Sequence, residues 1–203
     1  MSAYFTMNRA GLNYLISSSD SCPSRQCLFN LLTQAVDRPA SIEQLTAWNE
    51  RERKAVAQTI YNLLKQGWVD AVDKDSRPHG EPQPADFLQQ LAGLSSSGEV
   101  VLADGRGLVI ASCGFPQQRA HDLAASATRL LSVNEEARRR NMDLYDGQPW
   151  LINMHWGPMQ VEAQQISLGS KKFVLIVGGV AQLENHAFIS LLGQLARRYA
   201  CGQ

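Results

Sequence analysis

At 203 residues and 22.4 kDa, the chain has room for one large domain or two small ones, which excludes a large multidomain machine. Its 44% apolar and 19% charged residues suffice to fill a core and exclude a disordered or fibrous chain. The 19 Lys and Arg balance 19 Asp and Glu, so any binding to nucleic acid or an anionic membrane has to come from a local patch rather than from net charge.

The first residues carry one charge, Arg9, ahead of the run Ala10 to Ile16, which is too short and too polar for a signal peptide. No stretch reaches the ~18 apolar residues of a membrane span. The four cysteines, Cys22, Cys27, Cys113 and Cys201, are scattered and read as reduced thiols of a cytoplasmic protein. Cys22 and Cys27 supply at most half of a zinc site, with no second pair downstream, so no metal is expected.

Ser24 to Val36 has the spacing of a helix, with Cys27, Leu28, Leu31, Leu32 and Ala35 on its inner face. Ser41 and Gln44 form a capping box that opens a second helix. Asn49 and Glu52 repeat the box for a third, which runs to Gln66 with Val56, Ile60, Leu63 and Leu64 inside. Trp68 to Val72 alternates like a strand. Three helices and a strand amount to a winged-helix-like domain over 1–72 with a stunted hairpin. The opposite stripe of the third helix, Arg51, Lys54, Gln58, Asn62 and Lys65, offers phosphate and base contacts to DNA, or simply a solvated face. The domain as a whole is neutral, which favours protein contact over DNA.

Residues 73–84 hold three prolines and a glycine and no large apolar side chain, the composition of a linker. From 85 to 203 the order is a short helix to Leu91, two strands around the Asp104 to Gly107 turn, and a long helix from Pro116 to Arg140. Strands follow at Trp150 to Trp156, Val161 to Leu168 and Lys172 to Val177, then a helix from Leu183 to Tyr199. Lys172 to Val177 is apolar on both faces from Phe173 onward and requires cover on each side.

This α-β-β-α-β-β-β-α order over about 84–199, with Gly98 to Ser112 as the hairpin and Asp122 to Thr128 as the Ala-rich helix, resembles the roadblock family of dynein light chains and their bacterial and archaeal relatives. The resemblance implies an α+β, profilin-like domain with a five-stranded antiparallel sheet. It further implies a platform without catalysis or cofactor that forms a homodimer through its long helix and edge strand, and a small Ras-like GTPase as candidate partner. Under that resemblance Ala124, Ala127, Thr128, Leu131, Leu151, Asn153 and His155 are the candidate dimer interface. Arg138, Arg139 and Arg140 offer either a helix-dipole cap or a contact to an acidic partner.

No nucleophile elbow, phosphate-binding loop or zinc-protease motif occurs. His121, His155, His186 and Cys113 have no sequence-adjacent partner that would activate them, so no enzyme is expected. Three classes stay open: a regulatory scaffold for a GTPase or similar partner, a transcription regulator dimerised through its C-terminal domain, and a small-molecule sensor. No membrane insertion is expected of any of them.

Overall fold

Tyr4-Phe5-Thr6-Met7 is too short a run to announce itself in the sequence, yet it is the centre of the first sheet. The computed structural model describes residues 3–35, 38–75, 86–140, 151–157, 159–184 and 186–200. The chain divides into two compact units. The first comprises Met1–Gln83 with Leu168–Ser170 and Ile189–Gln203, and the second Pro84–Ser167 with Lys171–Phe188. The sequence boundaries at 1–72, 73–84 and 85–203 do not carry the two C-terminal returns to the first unit. Residues 76–84 of the expected linker lie outside the described residues.

In the first unit the order is β1 (Tyr4–Met7), α1 (Arg9–Ile16), α2 (Pro23–Gln34), β2 (Ala40–Ser41), α3 (Ile42–Asn49), α4 (Arg53–Lys65) and β3 (Val69–Val72). β1 pairs antiparallel with β2 on one side and with β3 on the other. The hairpin expected after the third helix is therefore replaced, among the described residues, by a strand from the N-terminus. Leu12, Leu15, Ile16, Leu28, Leu31, Leu32, Leu45, Ile60 and Leu63 are buried, each worth roughly 1.5–3 kcal/mol over exposure.

Local chemistry sets the helix ends. The Ser41 hydroxyl accepts from the Gln44 amide at 3.3 Å, and the Gln44 side chain accepts from the Ser41 amide at 2.9 Å, the capping box expected for α3. The second box does not form. Asn49 ends α3 rather than opening α4, is buried, and donates to the Leu45 carbonyl at 2.7 Å. Glu50 has a left-handed backbone that breaks the chain between the two helices. Leu64 is exposed rather than inside, so the buried stripe of α4 is Val56, Ile60 and Leu63.

Asn8 fastens α1 to the start of β3. Its carboxamide oxygen accepts from the Gly11 amide at 3.1 Å, while its nitrogen donates to the Gly67 carbonyl at 2.9 Å and to Asp70 at 3.1 Å. The approach is so close that a Cβ on Gly11 would lie 2.1 Å from the Trp68 carbonyl oxygen.

The second unit contains α5 (Phe87–Ala92), β4 (Val100–Asp104), β5 (Val109–Cys113), α6 (Gln117–Arg139), β6 (Leu151–Trp156), β7 (Met159–Leu168) and β8 (Lys171–Gly178); α7 (His186–Leu195) begins in it, and from Ile189 onward α7 and the π-helical turn Ala196–Ala200 group with the first unit. Five antiparallel strands run in the order β5-β4-β8-β7-β6, an α+β arrangement with the expected strand count. Trp150 lies outside the described residues. β8 is buried from Phe173 to Gly178. One sheet face, with Val101, Ala103, Ile152, Val161, Ala163, Val174 and Ile176, shares a core with Ala120, Leu123, Ala124, Ala127 and Leu131 of α6. On the opposite face Val100, Leu102, Leu175 and Val177 are buried as well.

Two glycine substitutions separate packing from propensity. Gly11→Ala should lower unfolding stability by about 2 kcal/mol or more, because the added methyl meets backbone that cannot rotate away. Gly93→Ala, whose Cβ would make ordinary contacts at 3.5 Å, should be neutral or stabilising by up to ~1 kcal/mol. Urea unfolding of both variants checks this, and comparable losses would contradict it.

Candidate interaction surfaces

Alanine at positions 124 and 127 lets α6 lie close on its own sheet. Ala124 and Ala127 are 0% and Leu131 1% exposed, all three within the core shared with β4, β7 and β8. In the folded chain they are consumed by this packing and do not form an outer face. Thr128 is half-buried, its hydroxyl without a hydrogen-bond partner among the described residues, next to the positive-φ Gly107 of the β4 to β5 turn. The outward side of α6 carries Ala125, Arg129, Ser132, Val133 and Glu136. Val133, 47% exposed, is its large apolar residue.

β6 is the last strand of the sheet and pairs with β7 alone among the described residues. Ile152 and Met154 turn toward α6, so Leu151, Asn153 and His155 share the other face. Asn153 and His155 are exposed and Leu151 is half-buried. Glu162 sits opposite Asn153. Its half-burial in the sheet raises its carboxyl above the ordinary glutamate range. The seven candidate interface residues thus split between the inner side of α6 and a strand that, among the described residues, is paired on one side only.

The arginine run is largely spoken for. Arg139 donates to Glu135 at 2.6 Å, Arg140 pairs with Glu136, and Lys172 reaches Glu135 at 2.8 Å. Burial pushes the Glu135 carboxyl up, but Lys172 and Arg139 together hold it below the usual range. Arg138 is half-buried. Two acidic residues one turn back, at i and i+4, therefore take part of the charge the sequence offered to a partner.

On the first unit, Lys54, Gln58, Asn62 and Lys65 are exposed on α4, with the Gln58 amide donating to Asn62 at 3.2 Å. Arg51 precedes the helix, where it donates to Gln26 at 3.3 Å. Arg53 pairs with Glu43 at 3.1 Å. The sequence reading missed Tyr61, 60% exposed and beside this stripe. Its position three after Gln58 and four before Lys65 is the signal that placed it there.

A second group escaped the sequence because Tyr14 of α1, Cys22 and Arg25 at the start of α2, and Trp68 just ahead of β3 meet only through tertiary packing. Tyr14 stacks on Trp68 with ring centroids 3.7 Å apart, and the Arg25 guanidinium lies 4.2 Å over the other side of the Tyr14 ring. Arg25 Nε donates to the Tyr14 carbonyl at 3.2 Å. Cys22 caps α2, its sulfur accepting from the Arg25 amide at 3.5 Å and lying 3.4 Å from the Tyr14 hydroxyl. Burial works against the Cys22 thiolate. The Tyr14 hydroxyl, the α2 amides and the Arg25 charge outweigh it and bring the pKa below the ordinary thiol value. Cys27, one turn further into the core, is pushed up to about 12 by burial.

His121 and His155 are exposed, and the Cys113 thiol donates to the Leu88 carbonyl at 3.4 Å. Among the described residues no three His, Cys, Asp or Glu side chains gather to hold a metal ion, and no helix is long and apolar enough to cross a membrane.

No family model matches the chain, and no curated protein does. Among solved structures the chain is similar to a Roadblock/LC7 domain from Streptomyces avermitilis, at 21% identity and TM-score 0.39 over 57% of this chain and 98% of that one. It is also similar to Myxococcus xanthus MglB, at 17% identity and TM-score 0.35 over 55% of this chain and 90% of that one.

The thiol environments are testable directly. Because its pKa is lowered, Cys22 holds more thiolate than an ordinary cysteine at neutral pH, whereas Cys27 holds almost none below its raised value. Limited iodoacetamide labelling at pH 7, read by peptide mass spectrometry, should modify Cys22 well before Cys27 and Cys113. Tyr14→Phe, which removes the hydroxyl, should shift the Cys22 rate profile to higher pH.

Proposed function

We propose that this chain is a non-catalytic regulatory or scaffold protein that works as a homodimer, with a small Ras-like GTPase as the candidate partner. The observation that carries the reading is the β6 edge, which among the described residues is paired on one side only. An uncapped strand without a charged side chain, Leu151 to Trp156, is an aggregation liability unless it is paired. A second copy laid antiparallel along it would satisfy the unpaired backbone groups and make one continuous sheet. The helix surface brought to that join would be Ala125, Arg129 and Val133 rather than the buried Ala124 and Ala127, with Asn153 and His155 flanking the new strand pair. In this reading Arg138 to Arg140 contribute to partner contact through whatever charge Glu135 and Glu136 leave uncompensated. The sequence boundaries, a winged-helix-like 1–72 and a platform at 85–203 joined by 73–84, and a cytoplasmic setting belong to the same proposal.

A second reading is favoured by the α4 stripe. Lys54, Gln58, Asn62 and Lys65 project from the helix that follows β2 and α3, the position of a recognition helix in a winged-helix module. A dimer would then present two such helices to duplex DNA.

Light scattering during size exclusion at micromolar concentration should give about twice the chain mass. Asn153→Pro, which blocks strand pairing at the edge, and Val133→Arg, which charges the outer helix face, should each return it to a folded monomer. A wild-type monomer at ~100 micromolar would overturn the dimer. The dimer should retain GDP- or GTP-loaded small GTPases in a binding assay, and the monomeric variants should not. For the second reading, duplex affinity at ~50 mM salt should fall in the Lys54→Ala, Lys65→Ala double variant, with the salt slope reduced by about one per lost phosphate contact. Absent duplex binding removes that reading and leaves the platform.

A further inference from the structure

We infer that the first unit contains a binding site for a free amino acid with an apolar side chain, in the cleft between the end of α1 and the start of α2. The cleft encloses about 460 Å³ and is lined by Leu15, Asp20, Arg25, Gln26 and Phe29, together with Ser18, Ser19, Ser21 and the Gly169–Ser170 turn that groups with the same unit. That volume lies within the range of roughly 300–1,000 Å³ occupied by small-molecule sites.

Its chemistry is amphoteric. Asp20 and Arg25 both line the cleft, yet no ion pair joins them. Each is instead positioned by its own neighbours. The Asp20 carboxylate accepts from the Ser18 hydroxyl at 2.7 Å through one oxygen, and its backbone amide donates to the same hydroxyl at 3.1 Å. The other carboxylate oxygen has no donor among the described residues. Arg25 is clamped through Nε on the Tyr14 carbonyl and by stacking over the Tyr14 ring. Both of its Nη groups are left without an acceptor among the described residues. A guanidinium held by its stem and face, with its outer fork open, is prepared for a carboxylate.

Two opposite charges on one cleft, each fixed and neither neutralising the other, fit a ligand that carries both complements. Leu15, 3% exposed, and the half-buried Phe29 add an apolar wall. Serine hydroxyls at the rim and Gln26 supply neutral donors and acceptors. A carboxylate on Arg25, an ammonium on Asp20 and an aliphatic side chain against Leu15 and Phe29 satisfy all three features at once. A simple anion leaves Asp20 facing it, and a simple cation leaves Arg25 facing it.

None of the lining residues belongs to β6 or α6, so its test is independent of dimerisation. The full-length chain, labelled with nitrogen-15, is titrated with leucine up to ~10 mM, a range suited to partly solvated charge contacts. Leucine should give saturable shifts confined to amides near 15–29 and 169–170. Its des-amino analogue 4-methylpentanoate and its decarboxylated analogue 3-methylbutylamine should each bind at least tenfold more weakly, since a hydrogen bond to a charged group is lost in each. Asp20→Asn and Arg25→Gln should weaken leucine tenfold or more, and Lys54→Ala should leave it unchanged. Asp20 is exposed, so Asp20→Asn keeps the fold and decides the matter if Arg25→Gln disturbs the Tyr14 stack. No saturable shift with leucine, an analogue binding as well as leucine, or full affinity in Asp20→Asn would overturn the assignment.

Discussion

Phe173 to Val177 must be covered on both sides, and most of the second unit follows from that requirement. A strand whose alternate residues are all apolar has no solvent face, so β8 takes a central place between β4 and β7 and the sheet needs helical cover over each surface. On one surface the cover is α6, and the cost of placing a 23-residue helix against a sheet is met by alanines. Ala120, Ala124 and Ala127 bring its backbone close, while Leu123 and Leu131 fill the spaces between strands. The same choice empties the outer face of α6 of large apolar groups apart from Val133. Once both surfaces of the sheet are occupied, its open features are its edges. Among the described residues, what this unit leaves outward is the unpaired side of β6 and the largely polar outer side of α6.

How far the sequence discloses this depends on the kind of signal. Features whose cause is local were legible: the reciprocal bonds of Ser41 and Gln44, the doubly apolar β8, and the chain order of a hairpin, a long helix and three further strands. Features whose cause is a neighbour were not. Helical periodicity in α6 identified Ala124, Ala127 and Leu131 as one face, but periodicity is silent on whether that face meets the chain's own sheet or another molecule. Asn49 illustrates the same limit. Its spacing to Glu52 matches a capping box, yet α3 extends to it and Asn30 donates to its side chain at 3.2 Å, a contact 19 residues distant that no local pattern encodes. β1 was hidden because four residues carry too little alternation to stand out. Its place in the sheet is fixed only by two partners far along the chain.

Charge shows a parallel difference between inventory and availability. Three consecutive arginines suggest a strongly basic end to α6, but Glu135 and Glu136 lie one turn earlier on the same helix, and Lys172 arrives on Glu135 from β8. The resulting pairs are mostly solvent-exposed, and exposed pairs contribute little to stability. Their larger effect is on the surface field, since they reduce the charge an approaching partner senses. On α4 the opposite holds. Lys54 and Lys65 make no described ion pair, so this helix keeps its positive charge even though the unit's total is near zero.

The cleft of the first unit rests on the same distinction between a charge that is present and one that is used. Arg25 spends its Nε and its π-face on Tyr14, and Tyr14 is in turn held flat by Trp68 and by the close crossing of α1 that Gly11 permits. A long flexible side chain ordinarily loses rotamer entropy when it binds a ligand, and that loss weakens association. Here folding has already fixed the guanidinium, because the stack that orders it is part of the packing among α1, the first turn of α2 and Trp68. Asp20 is likewise fixed, by its reciprocal bonds with Ser18. Pre-ordering of both charges means that a ligand has to supply only its own two complements and its apolar side chain. This is why a small zwitterion, too small to bury much area, is suited to a cleft of this size.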